Sequence, residues 1–359
     1  MKVVVTGASG SVGTALLRAA RNENWEVVGV ARRRPDTARQ PYSSADWMQC
    51  DLGAPDAVHR LSEALEGAQV VVHLAWAIQP ASDDPARRRT NVTGSTHVLQ
   101  AAVNAEVPHV VAASSVAAYA PAPRWKRVGE DWPCTGVPGS AYSADKVVLE
   151  RMLDEFVLHN PTVAVSRIRP CAVVQRDSGA QLERWTVSPL IPPQILGRRW
   201  LPVPLWKGLR AQAVHADDVA DALRLIIRQR EVGAFNLASE PVLNAPELAR
   251  IFGGVLVPVP LSVLLALAWP SWRLGLQPMH PGWLKLADQV PLMDTSRARS
   301  QLGWVPRHDT RSALEEFVAA IARGCGTASD PLKSRGDGDR WSRFGWGRPV
   351  HQSQCEETS

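Results

Sequence analysis

A chain of 359 residues has room for one large domain or two fused ones, and not for three of ordinary size. Hydrophobic residues at 45% and charged residues at 21% make a globular balance that excludes wholesale disorder. Lys and Arg (40) nearly cancel Asp and Glu (35), and the net charge of +5 forms no single-sign field, so nothing points to a nucleic-acid partner.

Short β-branched runs at residues 3–5, 25–30, 69–73, 109–113 and 163–168 read as buried strands. Between them, residues 12–21, 55–65, 87–105 and 141–158 show helical apolar spacing. This alternation predicts an α/β domain over 1–175, with a doubly wound parallel sheet covered on both faces. Ligands of such sheets lie at the carboxyl ends of the strands.

After about residue 170 the texture changes. Five prolines between Ser188 and Trp206 predict long loops, and residues 176–323 read as a smaller, loop-rich substrate-binding part. Within it, residues 210–240 are expected to return to the first domain. Helices are predicted at 219–228, capped by Asp217 or Asp218, from near Ala245, and at 312–322. The apolar stretch 255–269 is interrupted by Pro258 and Pro260 and followed by Pro270, too broken for a membrane span, and reads as buried or interfacial. From Gly324 to Ser359, Gly, Ser, Arg and Asp dominate without period, which predicts a disordered tail. Cys50, Cys134, Cys171, Cys325 and Cys355 are odd in number and never in C-x-x-C spacing. They fit a reducing compartment, a cytoplasmic protein and no metal site, and Met1-Lys2 runs into the first strand without a signal-peptide pattern.

Thr6-Gly7-Ala8-Ser9-Gly10-Ser11-Val12-Gly13 joins the first strand to the first helix. Gly7 permits the tight turn, Gly10 the approach of a pyrophosphate, and Gly13 the packing of helix on strand; Ser9, Ser11 and Val12 complete the cradle. After the second strand, where an acidic residue would hold the ribose of NAD, stand Arg32, Arg33 and Arg34. Arg32 and Arg33 suit a 2′-phosphate, so the reading leans to NADP over NAD, against the alternative of a solvated surface run. Asp51 and Leu52 follow the third strand, at the adenine. Leu74 and Ala75 follow His73 at the end of the fourth, and His73 itself reads as a packed strand residue.

Tyr142-Ser143-Ala144-Asp145-Lys146 places a phenol and an ammonium four residues apart, on one face of a helix start. The ammonium would favour phenolate and let Tyr142 exchange a proton near neutral pH. Ser114 and Ser115 end the fifth strand and could orient a carbonyl or hydroxyl.

Together these residues resemble the extended short-chain dehydrogenase/reductase family, also called the NAD-dependent epimerase/dehydratase family. Asn91-Val92-Thr93-Gly94, Arg169-Pro170, the stretch from Val214-His215 to Asp218-Val219-Ala220, Phe235-Asn236-Leu237 and Leu302-Gly303-Trp304-Val305-Pro306 extend the match to about residue 320. The resemblance implies a Rossmann-like fold, with Ser115, Tyr142 and Lys146 catalytic. It places Ser114, Asn91, Tyr142, Lys146, Pro170 and Val173 at the cofactor, and gives His215 and Asp218 a positioning and capping role. Val116-Ala117-Ala118 stand where relatives that eliminate water carry an Asp-Glu pair, so dehydration is not expected. Three readings remain: a reductase or dehydrogenase of a carbonyl/secondary alcohol pair, an epimerase of a nucleotide-linked sugar with tightly bound NAD, and a non-catalytic dinucleotide-binding sensor or scaffold. Seven tryptophans from Trp185 to Trp304 could stack on a sugar or line a bulky apolar pocket, or pack the core. Arg184, Arg198, Arg199 and Arg210 could clamp a diphosphate. The resemblance also implies a homodimer through helices 87–105 and 141–158.

Overall fold

The computed structural model describes residues 1–78, 85–186, 188, 196 and 201–334. Seven parallel strands form its centre: β1 (Lys2–Thr6), β2 (Glu26–Ala31), β3 (Asp46–Gln49), β4 (Val70–His73), β5 (His109–Ala113), β6 (Ala164–Pro170) and β7 (Gly233–Leu237). Their spatial order is β7-β6-β5-β4-β1-β2-β3, so the chain reverses direction across the sheet at β1 and β4. Val4 of β1 lies between Val28 of β2 and Val71 of β4. A cleft opens at that reversal because the loops after β1 and β4 lead away in opposite directions.

Alternation along β1 decides which helix covers which face. Val3 and Val5 point into one core with Leu16 and Leu17 of helix Ser11–Ala20 and Val219, Leu223 and Ile226 of helix Ala216–Gln229. Val4 points into the other, with Leu61 and Leu65 of helix Ala57–Leu65, Val98 and Leu99 of helix Gly94–Asn104, and Leu149 and Leu153 of helix Ala141–His159. Both faces are dry, which is why the strands read as continuous Val runs. The helical pattern over 87–105 is met by Pro85–Arg88, a π-turn at Arg89–Thr93, and Gly94–Asn104 in succession.

The later half has its own core, in which Val174, Leu243 and Leu248 meet Leu314, Phe317 and Ile321 of helix Thr310–Arg323. Residues 216–237 return to the main sheet, as helix Ala216–Gln229 and β7. Three expectations are corrected. Helix Ala216–Gln229 is capped by the His215 ring, which accepts from the Asp217 N–H at 3.2 Å, so neither Asp217 nor Asp218 is the cap. The proline-rich stretch lies partly outside the described residues, but Leu201–Leu205 is a strand paired with Gly254–Pro258. Pro202 and Pro204 are tolerated because this is a two-stranded edge.

The third correction concerns the tail. Residues 324–334 are folded against the body, with Cys325, Ser329 and Leu332 buried. The Ser329 hydroxyl donates to the Ser9 carbonyl at 2.8 Å, and the hydroxyls of Tyr42 and Thr327 meet at 2.6 Å. Two apolar side chains and a few hydroxyl anchors suffice because the groove they enter already exists; composition alone carries no trace of it. Residues 335–359 lie outside the described residues.

Candidate active site

At the carboxyl end of β1, Gly7 adopts φ +72°, and a Cβ there would stand 2.5 Å from the backbone N of Ala75. A Cβ on Gly13 would run into the Gly7 carbonyl and the Ala8 backbone. The turn is therefore closed to any larger residue at these two points. Gly10 is the N-cap of helix Ser11–Ala20 and supplies no side-chain cap. The first N–H groups of that helix thus face the cleft, a site for an anion.

The cleft has a volume of about 500 Å³. Gly7, Ser9, Gly10, Ser11, Val12, Gly13, Arg32, Arg33, Asp51, Leu52, Leu74 and Ala75, all predicted at the cofactor, line it. So do Arg184 and Trp185, which the sequence reading assigned to the substrate, and Trp76, Gln181, Asp330 and Pro331, which it missed. Trp76 directly follows Ala75 and was within reach of the same strand-end argument. Asp330 carried no such signal, because it belongs to the stretch read as disordered. It forms an ion pair with the exposed Arg33, so a carboxylate stands beside the arginines that follow β2. Asp51 accepts from the Gly53 N–H at 3.1 Å and pairs with Arg89 at 2.6 Å.

Ser115, Tyr142 and Lys146 meet beyond β5. Ser140 caps helix Ala141–His159 by accepting from the Ser143 N–H. The Ser143 hydroxyl donates to the Ala117 carbonyl at 2.6 Å and accepts from the Val137 N–H at 2.7 Å. This side chain, between Tyr142 and the rest of the helix, ties the helix start to the loop that carries Ser115. Burial raises the Tyr142 pKa, and a hydrogen bond with Ser115 opposes the rise. The Lys146 ammonium donates to the Ala113 carbonyl at 2.8 Å and lies 3.4 Å from the Trp76 ring centre, against 5.9 Å for the Tyr142 ring. In this geometry the ammonium is turned to a carbonyl and an indole face, and stands farther from the phenol ring than from either. Burial pulls Lys146 down to about 7, while Glu150 and Asp145 oppose the fall.

Asn91 is buried in the π-turn. It pairs with both backbone groups of Ala77, at 2.7 and 3.1 Å, and donates to Asp145 at 3.0 Å. Asp145 also holds the buried Arg87. The π-turn thus pins the segment after β4 to the helix of Tyr142 and Lys146. Ser114 is buried at the end of β5, Pro170 ends β6, and Val173 lies on strand Ala172–Val174 beside Val214. None of these four lines the cleft described above.

Below the site, Glu150 takes Arg169 through both carboxylate oxygens, at 2.7 and 2.9 Å, and Arg167 at 2.7 Å. The two guanidiniums hold its pKa at about 2 against the opposing effect of burial. Arg169 continues to the Tyr119 hydroxyl at 2.8 Å, and Tyr119 donates to Asn236 at 2.7 Å. Phe235-Asn236-Leu237 and Arg169-Pro170 are therefore parts of one buried scaffold. His73 is a packed strand residue, bonded to Thr6 and Ser95, and burial beside Lys146 takes it down to about 3. Asp218 receives the N–H groups of Arg307 and His308, so it ties the Trp304 segment to helix Ala216–Gln229.

The wall next to Tyr142 is apolar. Its ring centre is 5.1 Å from that of Trp283, with Ala117, Val137, Leu286 and Val290 around the pair. Two arginines considered as diphosphate clamps already donate to backbone carbonyls, Arg184 within the cleft wall itself. Arg210 donates to the carbonyls of Asp288 and Val290, and Arg184 to those of Pro331 and Lys333. Arg198 and Arg199 lie outside the described residues.

A parallel sheet whose glycine turn opens on a helix N-terminus at the strand-order reversal defines a dinucleotide-binding, Rossmann-like protein. The model of the NAD dependent epimerase/dehydratase family matches residues 3–238, and the chain belongs to that family. An uncharacterized protein of Mycobacterium tuberculosis (strain ATCC 25618 / H37Rv) is 28% identical over 89% of the chain. The chain spans only 30% of that relative's length. A 3-diazoavenalumate denitrifying reductase of a Streptomyces species is 28% identical, over 86% of this chain and 97% of its own. Among solved structures, MoeE5 in complex with UDP-glucuronic acid and NAD matches with a TM-score of 0.64 at 24% identity, covering 90% of this chain and 99% of its own. That likeness establishes the fold.

Proposed function

We propose that the protein is an NAD(P)-dependent oxidoreductase acting on a carbonyl/secondary alcohol pair, with Ser115, Tyr142 and Lys146 at the reacting oxygen. The observation that carries this reading is the Ser115–Tyr142 hydrogen bond beside an apolar wall, with the Lys146 ammonium 5.9 Å from the phenol ring and, in the same cleft region, a glycine turn closed to any Cβ at Gly7 and Gly13. The residues present fit a dinucleotide: the turn at 7–13 for the phosphates, Asp51 and Leu52 for the adenine, Leu74 to Trp76 and Lys146 for the nicotinamide ribose. Bound there, the nicotinamide supplies the hydride acceptor or donor. Tyr142 exchanges the proton on the substrate oxygen, and Ser115 holds that oxygen in line. Lys146, released from the Ala113 carbonyl, contacts the ribose and favours the phenolate.

Arg32 and Arg33 support NADP, as their exposed guanidiniums suit a 2′-phosphate. Asp330 opposes part of that charge, so Arg32 carries most of the preference.

The substrate in this reading is a bulky, largely apolar carbonyl compound. Trp283, Val137 and Leu286 beside Tyr142 favour it over a sugar diphosphate, as does the engagement of Arg184 and Arg210 by backbone carbonyls. The epimerase reading draws on the UDP-sugar bound by MoeE5. Mass spectrometry of the purified protein separates the two, since tightly retained NAD marks an epimerase. A panel of carbonyl compounds and UDP-sugars assayed with NADPH and NAD then tests the proposal. Turnover of UDP-sugars alone would overturn it.

A further inference from the structure

Helix Leu261–Arg273 breaks the usual rule for a surface helix. None of its residues is buried, and its outward face is apolar rather than polar. Val263, Leu267 and Trp269 on the helix, Leu274 and Leu276 just after it, and Val255 on the neighbouring strand are all exposed. Leu274 is 73% exposed, Val255 63% and Leu267 61%. Leaving so many large apolar side chains in water opposes folding, so the face is built to be covered.

What covers it is indicated by charge. Between Glu247 and Asp288 the sequence holds no Asp or Glu, whereas Arg250, Arg273 and Lys285 are present and exposed. The Arg273 guanidinium lies 5.3 Å from the Trp269 ring centre, which places a cation and an indole together at the rim of the patch. Exposed Leu and Val, a rim tryptophan and cations without a counter-charge are the composition of a helix that lies in a headgroup region. Thirteen residues rise about 20 Å, short of a ~30 Å hydrocarbon core. No helix among the described residues is long and apolar enough to cross a membrane.

We propose that the exposed face of helix Leu261–Arg273, with Leu274 and Leu276 just after it, docks on the surface of an anionic lipid bilayer, the helix lying in the interfacial plane. A second copy of the chain would also cover apolar side chains, but residues 248–287 of that copy would offer Arg273 no Asp or Glu. The bilayer supplies the missing anions. The patch is continuous with the candidate active site: the Trp272 ring is 4.9 Å from His280, and Trp283, a turn further on, packs against Tyr142.

The test is co-sedimentation of the full-length protein with vesicles of phosphatidylcholine alone or mixed with about a third phosphatidylglycerol. Binding to the anionic vesicles is expected, weakened by raising the salt, because each surface cation contributes about fivefold at low ionic strength. The double variant Leu267→Gln/Trp269→Gln is expected to lose tenfold or more of that binding, on the order of two buried side chains. Leu158→Gln, on an exposed site elsewhere, is expected to leave it unchanged. Arg250→Glu/Arg273→Glu keeps the apolar face and is expected to abolish the preference for anionic vesicles. Circular dichroism confirms that each variant is folded. Equal binding to both vesicle types, or none to either, overturns the proposal. So does a dimer in light scattering that the Leu267/Trp269 variant returns to monomer, which would make the second copy the occupant.

Discussion

Lys146 offers a test of the site that needs no substrate. Its ammonium is buried, with one carbonyl, the Trp76 ring, Asp145 and Glu150 around it, and its pKa falls from 10.5 to about 7. The unfolded chain keeps the ordinary value. Between pH 7 and 10.5 the unfolded state therefore binds more protons than the folded one, and stability rises with pH across that window. Below pH 7 both states are protonated and the contribution is level. Working the two pKa values through, the gain from pH 7 to pH 9 is about 2 kcal/mol, with a limiting slope of about 1.4 kcal/mol per pH unit. Other groups near the lysine do not mimic this. His73 titrates far below the window, Glu150 stays ionised, and burial moves Tyr142 upward. Urea unfolding of the wild type and of Lys146→Met, without added dinucleotide, isolates the effect as the pH dependence of their difference. A difference that is flat from pH 7 to 9 would refute the claim that burial outweighs the two carboxylates at this lysine.

Tyr142→Phe removes only the hydroxyl, so dinucleotide binding stays near normal while turnover falls about 10²-fold or more; near-normal turnover would restore the non-catalytic reading. Gly7→Ala forces a positive φ on alanine and drives its Cβ against Ala75, and calorimetry is expected to show dinucleotide affinity reduced about tenfold or more. Glu150→Gln leaves Arg169 buried without its anion and Arg167 with only the exposed Asp154, and denaturant titration is expected to show a loss of about 3–5 kcal/mol. Truncation after residue 334 is expected to preserve dinucleotide binding, whereas truncation after 323 removes Asp330 and Pro331 from the cleft wall and weakens it; equal affinities would show that segment 324–334 is only a cover. Light scattering at micromolar concentration tests the homodimer, which a monomer mass would refute.

The sheet and the glycine turn were legible from residue types because their physics is local. A Val run buried on both faces needs no knowledge of what lies opposite, and Gly-x-x-Gly-x-x-Gly between a strand and a helix permits few backbone paths. The i, i+4 spacing of Tyr142 and Lys146 is likewise a property of one helix. Where the lysine points is not. It depends on Ala113 and Trp76, brought from β5 and the end of β4, and only the packed structure shows the ammonium turned away from the phenol. The same holds for Asp330, about 300 positions from Arg33 in the chain, and for the segment around Ser329, whose few anchors suffice only because a groove awaits them. Helix Leu261–Arg273 makes the converse point. Its sequence suits a core as well as a surface, and tertiary structure alone decided that nothing in the described chain covers its outward face. Local patterns dictate what a segment can form; which charges meet, and which apolar faces stay open, is settled by contacts between residues far apart in the chain.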